Sequence, residues 1–309
     1  MMKRLMCLLL LMMICALSLM ARAENDWQGM LSEEEKSFYS AIDGSTATIP
    51  LSEAIAVWRL GITQEQASQL IHHNTTSLAY DSLLNGSYED DEEGTDLIFV
   101  TAPSKYELQS AEEYGVELEF IPVAHDALVF LNNVRNPVTS LTKQQLLDIY
   151  TGKMATWKEV GGEDESIIPF QRPARSGSQT LFEQLLMGKV QPMVPPEAYR
   201  PTSMGMLVDE VSNYENGKRS LGYSVYYYVT DMYGSGNIRL LSVDGVLPSA
   251  QTIIDHSYPF YTYYHAVLRK DTPEDSPYRE LVEWLLTDEG QKLVRDAGYI
   301  PLRDLEVKP

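Results

Sequence analysis

Leu97-Ile98-Phe99-Val100-Thr101-Ala102-Pro103-Ser104 is the stretch that sets the fold class. Four consecutive apolar residues read as a buried strand, which Thr101-Ala102-Pro103 ends. Residues 104–114 then look helical until Gly115 stops them, and residues 116–123 and 127–131 read as two further strands. Outward from there, helical patterns occupy residues 51–60, 79–84, 142–150, 181–186, 278–286 and 291–297, the last stopped by Gly298. Thr139 or Ser140 is the expected cap of the 142–150 helix, and Trp284 falls on the apolar side of the 278–286 helix. Residues 221–228 suggest a strand or a strand-to-helix junction. This alternation predicts an α/β fold of mixed sheets covered by helices.

Residues 1–23 form a separate object. Lys3 and Arg4 precede an apolar run over residues 5–20, and Ala21-Arg22-Ala23 has the small-residue pattern of a cleavage site, so the segment reads as a secretory signal peptide. Both cysteines, Cys7 and Cys15, lie within it, which leaves a processed chain without disulfides or cysteine metal sites. Bulky Met12-Met13-Ile14 ahead of Cys15 argue against lipidation. The formal charge of −20 becomes −23 once Lys3, Arg4 and Arg22 are removed, because the segment holds no acid. Nucleic acid is therefore excluded as a partner. An anionic ligand would be repelled at long range and would have to be captured by short-range donors in a buried site.

About 285 processed residues exceed one ordinary core. No Gly/Ser-rich linker divides them, so the expectation is two lobes joined by short strand crossings near residues 123–126 and 256–261. Lobe I then comprises residues 24–124 and 257–309, and lobe II residues 125–256. The acidic run at residues 89–93 echoes a calcium loop, but its closing acid would fall on Val100, so a solvated loop is expected.

Gln171-Arg172-Pro173-Ala174-Arg175-Ser176-Gly177-Ser178, leading straight into an apolar-periodic helix, is how a chain builds an anion cradle. A helix start presents unpaired N–H groups, Gly177 permits close approach, and Arg172 or Arg175 can add charge-assisted donors. Two other hydroxyl-rich helix starts occur, at Ser45-Thr46 within Asp43-Gly44-Ser45-Thr46-Ala47-Thr48 and at Thr75-Thr76-Ser77. Each alone reads as a local cap. Together with Arg172 they form a pattern.

That pattern resembles the PstS-type phosphate-binding proteins of ABC importers over nearly all of the processed chain. The resemblance is carried by residues 43–46, by Asn136-Pro137-Val138-Thr139-Ser140-Leu141 with Ile149-Tyr150-Thr151-Gly152 and Trp157-Lys158-Glu159-Val160-Gly161-Gly162, by residues 172–178, and by Glu289-Gly290-Gln291 with Gly298-Tyr299-Ile300-Pro301. It implies a two-lobed periplasmic-binding-protein-like α/β fold, each lobe a mixed sheet flanked by helices. It also implies ligand contacts from Ser45, Thr46, the Ala47 N–H and Thr76 on lobe I, and from Arg172, Ser176, the Gly177 N–H and Ser178 on lobe II. Two positions depart from the family. Thr101 stands where a carboxylate accepts the proton that phosphate keeps, and Ala174 stands where an acid braces the arginine. A hydroxyl discriminates less, because it can accept from a protonated oxygen or donate to an ionised one.

An enzyme is not expected: no Gly-x-Ser-x-Gly elbow, Ser-x-x-Lys nucleophile set or His-Glu-x-x-His pattern stands out, and adjacent His72 and His73 do not face one another on a helix. The tyrosine-rich stretches at residues 226–228 and 258–264 are expected to serve packing rather than a sugar platform. The resulting expectation is an exported, monomeric capture protein for phosphate or a similar oxyanion, handing it to a membrane ABC permease, with no cofactor and no metal. A binder of sulfate or a sugar, or a sensor or interaction protein on the same fold, is the alternative.

Overall fold

The computed structural model describes residues 27–85, 94–213, 217–234 and 236–303. Residues 1–23, read as a signal peptide and holding Cys7 and Cys15, and the acidic run at 89–93 lie outside them. Strands β1 (Ile42–Gly44), β2 (Leu97–Val100), β3 (Leu118–Asn133), β4 (Ser140–Leu141), β5 (Ile168–Pro169), β6 (Ser220–Val225), β7 (Ile238–Leu240), β8 (Ser242–Val243) and β9 (Tyr261–Arg269) alternate with helices. Seven of them form one sheet in the order β1-β2-β9-β3-β6-β5, with β7 also on β3, while β4 and β8 pair separately.

β3 organises the molecule. Its first part, to Ala127, pairs antiparallel with β9, and from Leu128 onward it pairs antiparallel with β6 and β7. The two strands read at residues 116–123 and 127–131 are thus a single strand of 16 residues. Pro122 cannot donate to a ladder, and the register shifts there, between Pro122 and Ala124, so the strand bends without ending. Asp126, fully buried on the crossing, accepts from the N–H groups of Ala127 (2.8 Å) and Tyr227 (3.2 Å), tying β3 to the segment after β6. β1 and β2 run parallel on one side of the crossing, β5 and β6 run parallel on the other.

Helices take the places the periodicity gave them, with local differences. The helix Lys143–Tyr150 is capped by Thr142, whose Oγ1 accepts from the Gln145 N–H while Gln145 reaches back, so neither Thr139 nor Ser140 is the cap. The helix Gly177–Leu181 passes into a wider π turn, Phe182–Met187. Trp284, partly buried on the helix Pro277–Leu285, stacks on Trp58 at 3.7 Å. One large core runs from Leu51, Ile55 and Phe99 to Phe130, Phe182 and Tyr223, so both sides of β3 share it. Packing claims most of the tyrosine-rich stretches: Tyr258, Phe260 and Tyr264 are fully buried, and Tyr227 stacks on Tyr299 at 3.7 Å. No helix among the described residues is long and apolar enough to cross a membrane.

Candidate functional site

The C-terminal ends of parallel strands leave backbone groups and following loops pointing into one crevice, and the two parallel pairs of the main sheet, β1–β2 and β5–β6, do so toward a shared cleft. Ser45, Thr46 and Ala47 follow β1, Thr101 follows β2, and Arg172 follows β5 by a few residues. The cleft has a volume of about 560 Å³ and all nine residues named from the sequence line it: Ser45, Thr46, Ala47, Thr76 and Thr101 from one wall, Arg172, Ser176, Gly177 and Ser178 from the other.

Local capping does not account for their hydroxyls. Ser45 and Ser176 hold N-cap positions, yet neither side chain accepts from an N–H of its own helix, and Ser45 Oγ has only a 3.4 Å contact with Thr48 Oγ1. By contrast Ser32, Thr63, Ser104, Thr142 and Ser203 each accept from an N–H of the helix they open. Three buried polar atoms of the cleft residues, Thr101 Oγ1, Arg172 Nη1 and Ser178 Oγ, have no partner within the protein. Buried donors are rarely left unpaired without a ligand or ion to explain them.

Arg172 is held in place by the chain itself. Its backbone N–H donates to Gln179 Oε1 and Tyr223 Oη, both at 3.0 Å, Nε donates to the Pro201 carbonyl at 3.1 Å, and Nη2 to the Thr202 carbonyl at 2.9 Å. Two carbonyls thus do the bracing that Ala174 cannot, and Nη1 is left free. Burial pulls the guanidinium below its ordinary value, which marks how much solvent it has lost. Arg175 goes elsewhere: its Nε donates to Glu107 and its Nη2 to Asp81, and it does not line the cleft.

On the opposite wall Asp43 organises the loop. Its Oδ1 accepts from the N–H groups of Gly44 (2.6 Å) and Asn74 (2.8 Å), and its Oδ2 from Asn74 Nδ2 (2.7 Å). A side chain at Gly44 would lie 2.5 Å from the Phe99 carbonyl, so glycine is needed there for close approach. His73 Nδ1 sits 3.2 Å from the Ser45 carbonyl, and burial lowers its pKa. Its role is to pack beneath the loop. Gly177 is the point where the walls meet: a Cβ there would lie 2.6 Å from Thr76 Oγ1 and 2.8 Å from Thr101 Oγ1.

A PBP superfamily domain matches residues 34–289. The chain belongs to the PBP superfamily. Among curated relatives it is 28% identical to the phosphate-binding protein PstS of Bacillus subtilis, over 63% of each chain, and 25% identical to that of Borreliella burgdorferi, over 58% of this chain and 64% of the relative. The chain thus spans just under two thirds of the length of these relatives. A phosphate-bound crystal structure from Clostridium perfringens superposes with a TM-score of 0.65 at 22% identity, covering 85% of this chain and 98% of the other. The PstS-type resemblance carried by the motifs and the relatives found by comparison therefore point to the same proteins. The fold is the two-lobed α/β architecture of this superfamily.

The sequence reading missed several residues that this PBP-superfamily cleft also contains: Thr202, Ser203, Asp209, Tyr228 and Tyr233. Thr202-Ser203 is a fourth hydroxyl-rich helix start, ahead of the helix Met204–Ser212, and the signal that found the other three would have found it. Tyr228 belongs to a stretch assigned to packing, and it is buried but faces the cleft. Tyr233 Oη donates to Asp209 at 3.0 Å, and that bond raises the phenol's pKa. Asp209 is the cleft's lone carboxylate among the described residues and sits exposed at its rim.

Proposed function

We propose that this protein captures inorganic phosphate, or a similar tetrahedral oxyanion, outside the cytoplasm for an ABC importer, and performs no chemistry on it. The observation that carries the proposal is the convergence of the unpaired Arg172 Nη1, Thr101 Oγ1 and Ser178 Oγ in one cleft. A dehydrated oxyanion has many acceptor sites and needs many donors with limited countercharge. Ser45, Thr46, the Ala47 N–H and Thr76 would complete the shell from one lobe, and Ser176 and the Gly177 N–H from the other. The names of the relatives, phosphate-binding proteins PstS, favour phosphate among the oxyanions.

On this reading residues 1–23 are removed on export. Lobe I comprises residues 24–124 and 257–309, lobe II residues 125–256, and the monomer closes about the crossing strands before delivery to a permease. Ligand contacts that exist only when both lobes meet would bias closure. Calorimetry on residues 24–309 with phosphate, sulfate and a panel of sugars tests it. Saturable phosphate binding with no sugar binding is expected. Sugar binding would reassign the ligand, and silence toward every anion and sugar would favour a sensor or interaction protein.

A further inference from the structure

We infer that Arg175 is a positioning residue for anion capture, one that touches no ligand and pins the Ser176–Gly177–Ser178 turn to the opposite wall of the cleft. Its purpose rests on the phosphate-binding reading, whereas its geometry does not. Arg175 adopts φ 67°, a left-handed conformation that an L-residue other than Asn or Asp seldom takes. That turn accompanies a side chain that leaves the cleft lining and reaches Glu107 and Asp81 on the opposite side. Nε donates to Glu107 Oε1 at 2.7 Å, and Nη2 to Asp81 Oδ1 at 2.5 Å.

Both acids belong to helices that the opposite wall also uses. Asp81 lies on Thr76–Asn85, which begins at the cleft residue Thr76, and Glu107 on Lys105–Tyr114, which follows Thr101. One guanidinium therefore bridges the segment next to Ser176 and the two helices behind Thr76 and Thr101. Gln184 Nε2 adds a second crossing bond, to the Pro103 carbonyl at 2.7 Å.

The two arms differ in weight. Asp81 is 37% exposed, where solvent screening leaves an ion pair little net value. Glu107 is 2% exposed. Its Oε2 already accepts from the Ser104 N–H at 2.8 Å, and its Oε1 meets Arg175. Opening the cleft would strip that buried oxygen of its cation, which is costly. The contact exists in the closed arrangement alone, so it slows opening and leaves first encounter with the anion unaffected.

The test uses residues 24–309 carrying Leu108→Cys and Val194→Cys, two exposed positions on either side of the cleft, in a processed chain that has no cysteine of its own. Dyes on these report the separation of the walls, and stopped-flow mixing reports phosphate on- and off-rates. Arg175→Ala should raise the phosphate off-rate about tenfold, leave the on-rate unchanged, and widen the dye separation without ligand. Arg175→Lys should recover part of both effects, since an ammonium keeps the charge but not the fork. At about 0.5 M salt the gap between wild type and Arg175→Ala should narrow. Unchanged off-rate and dye separation, a loss confined to the on-rate, or a fall in Tm that lysine does not rescue would each overturn the inference. Should wild type bind no oxyanion, the functional reading alone fails. The ligand-free dye separation then still decides about Arg175.

Discussion

On the β1–β2 side of the cleft the lining is neutral: Ser45, Thr46, Ala47, Thr76 and Thr101 offer hydroxyls and backbone N–H groups, and the acid of the region, Asp43, is turned inward onto Asn74 and Gly44. On the β5–β6 side a hydroxyl-rich helix start of the same kind is joined by a buried guanidinium, Arg172, braced by two carbonyls. On the proposed function, the difference divides the labour of capture. In a chain of net charge −20 the field repels an anion, so the charged wall must supply the attraction at contact. The neutral wall would supply shape and the donors to be engaged as the cleft closes.

If that division is right, the largest loss comes from the charged wall. Arg172→Ala removes a desolvated charge-assisted donor and should weaken phosphate binding about 100-fold or more by calorimetry, equivalent to at least ~2.7 kcal/mol. A loss below about threefold would show that the cation is dispensable and would erase the contrast between the walls. Arg172→Lys restores charge without the planar fork that serves the Pro201 and Thr202 carbonyls, so it should recover only part of the affinity.

A middling effect is expected where the walls touch. In Gly177→Ala the new methyl would sit 2.6 and 2.8 Å from the hydroxyls of Thr76 and Thr101, so the walls must separate by some tenths of an ångström. Overpacking of this kind costs about 1–3 kcal/mol, and because it acts on closure, affinity should fall roughly tenfold or more while the Tm of the ligand-free protein holds. Equal losses of Tm and affinity would place the clash in the fold of one wall rather than at the contact between them.

How much of this was readable beforehand follows from the range of each interaction. The strand Leu97–Val100, its helix and the Gly115 stop are local patterns and emerged where expected. The nine residues named from the sequence line one cleft, and they could be named because hydroxyls and arginine at helix starts are a short-range signal. β3 was read as two strands with a crossing between lobes near residues 123–126, and only pairing with β9 on both sides of the bulge keeps it whole. Arg175 could not be separated from Arg172 by sequence, since its acids lie 68 and 94 residues away and its direction depends on a left-handed backbone. Thr202-Ser203 carried the same signal as its three counterparts and was passed over. Asp209 and Tyr233 reach the cleft through tertiary packing, which leaves no mark in local spacing.

The smallest effect belongs to the neutral wall, and it tests what neutrality is for. Thr101 Oγ1 is buried without a partner in the protein, and as a hydroxyl it can donate to an ionised oxygen or accept from a protonated one. Thr101→Val keeps the shape and removes both options, which should weaken phosphate binding about three- to tenfold, the range of one hydrogen bond. Because the hydroxyl adapts, the factor should be the same for phosphate at about pH 6, where it is mostly monoanionic, at about pH 8, where it is mostly dianionic, and for sulfate, which carries no proton. A fixed acceptor would behave otherwise, penalising sulfate and favouring the protonated species. Should Thr101→Val weaken protonated phosphate and leave sulfate untouched, the hydroxyl is acting as an acceptor alone. The neutral wall would then be selecting its ligand by protonation rather than merely closing over it.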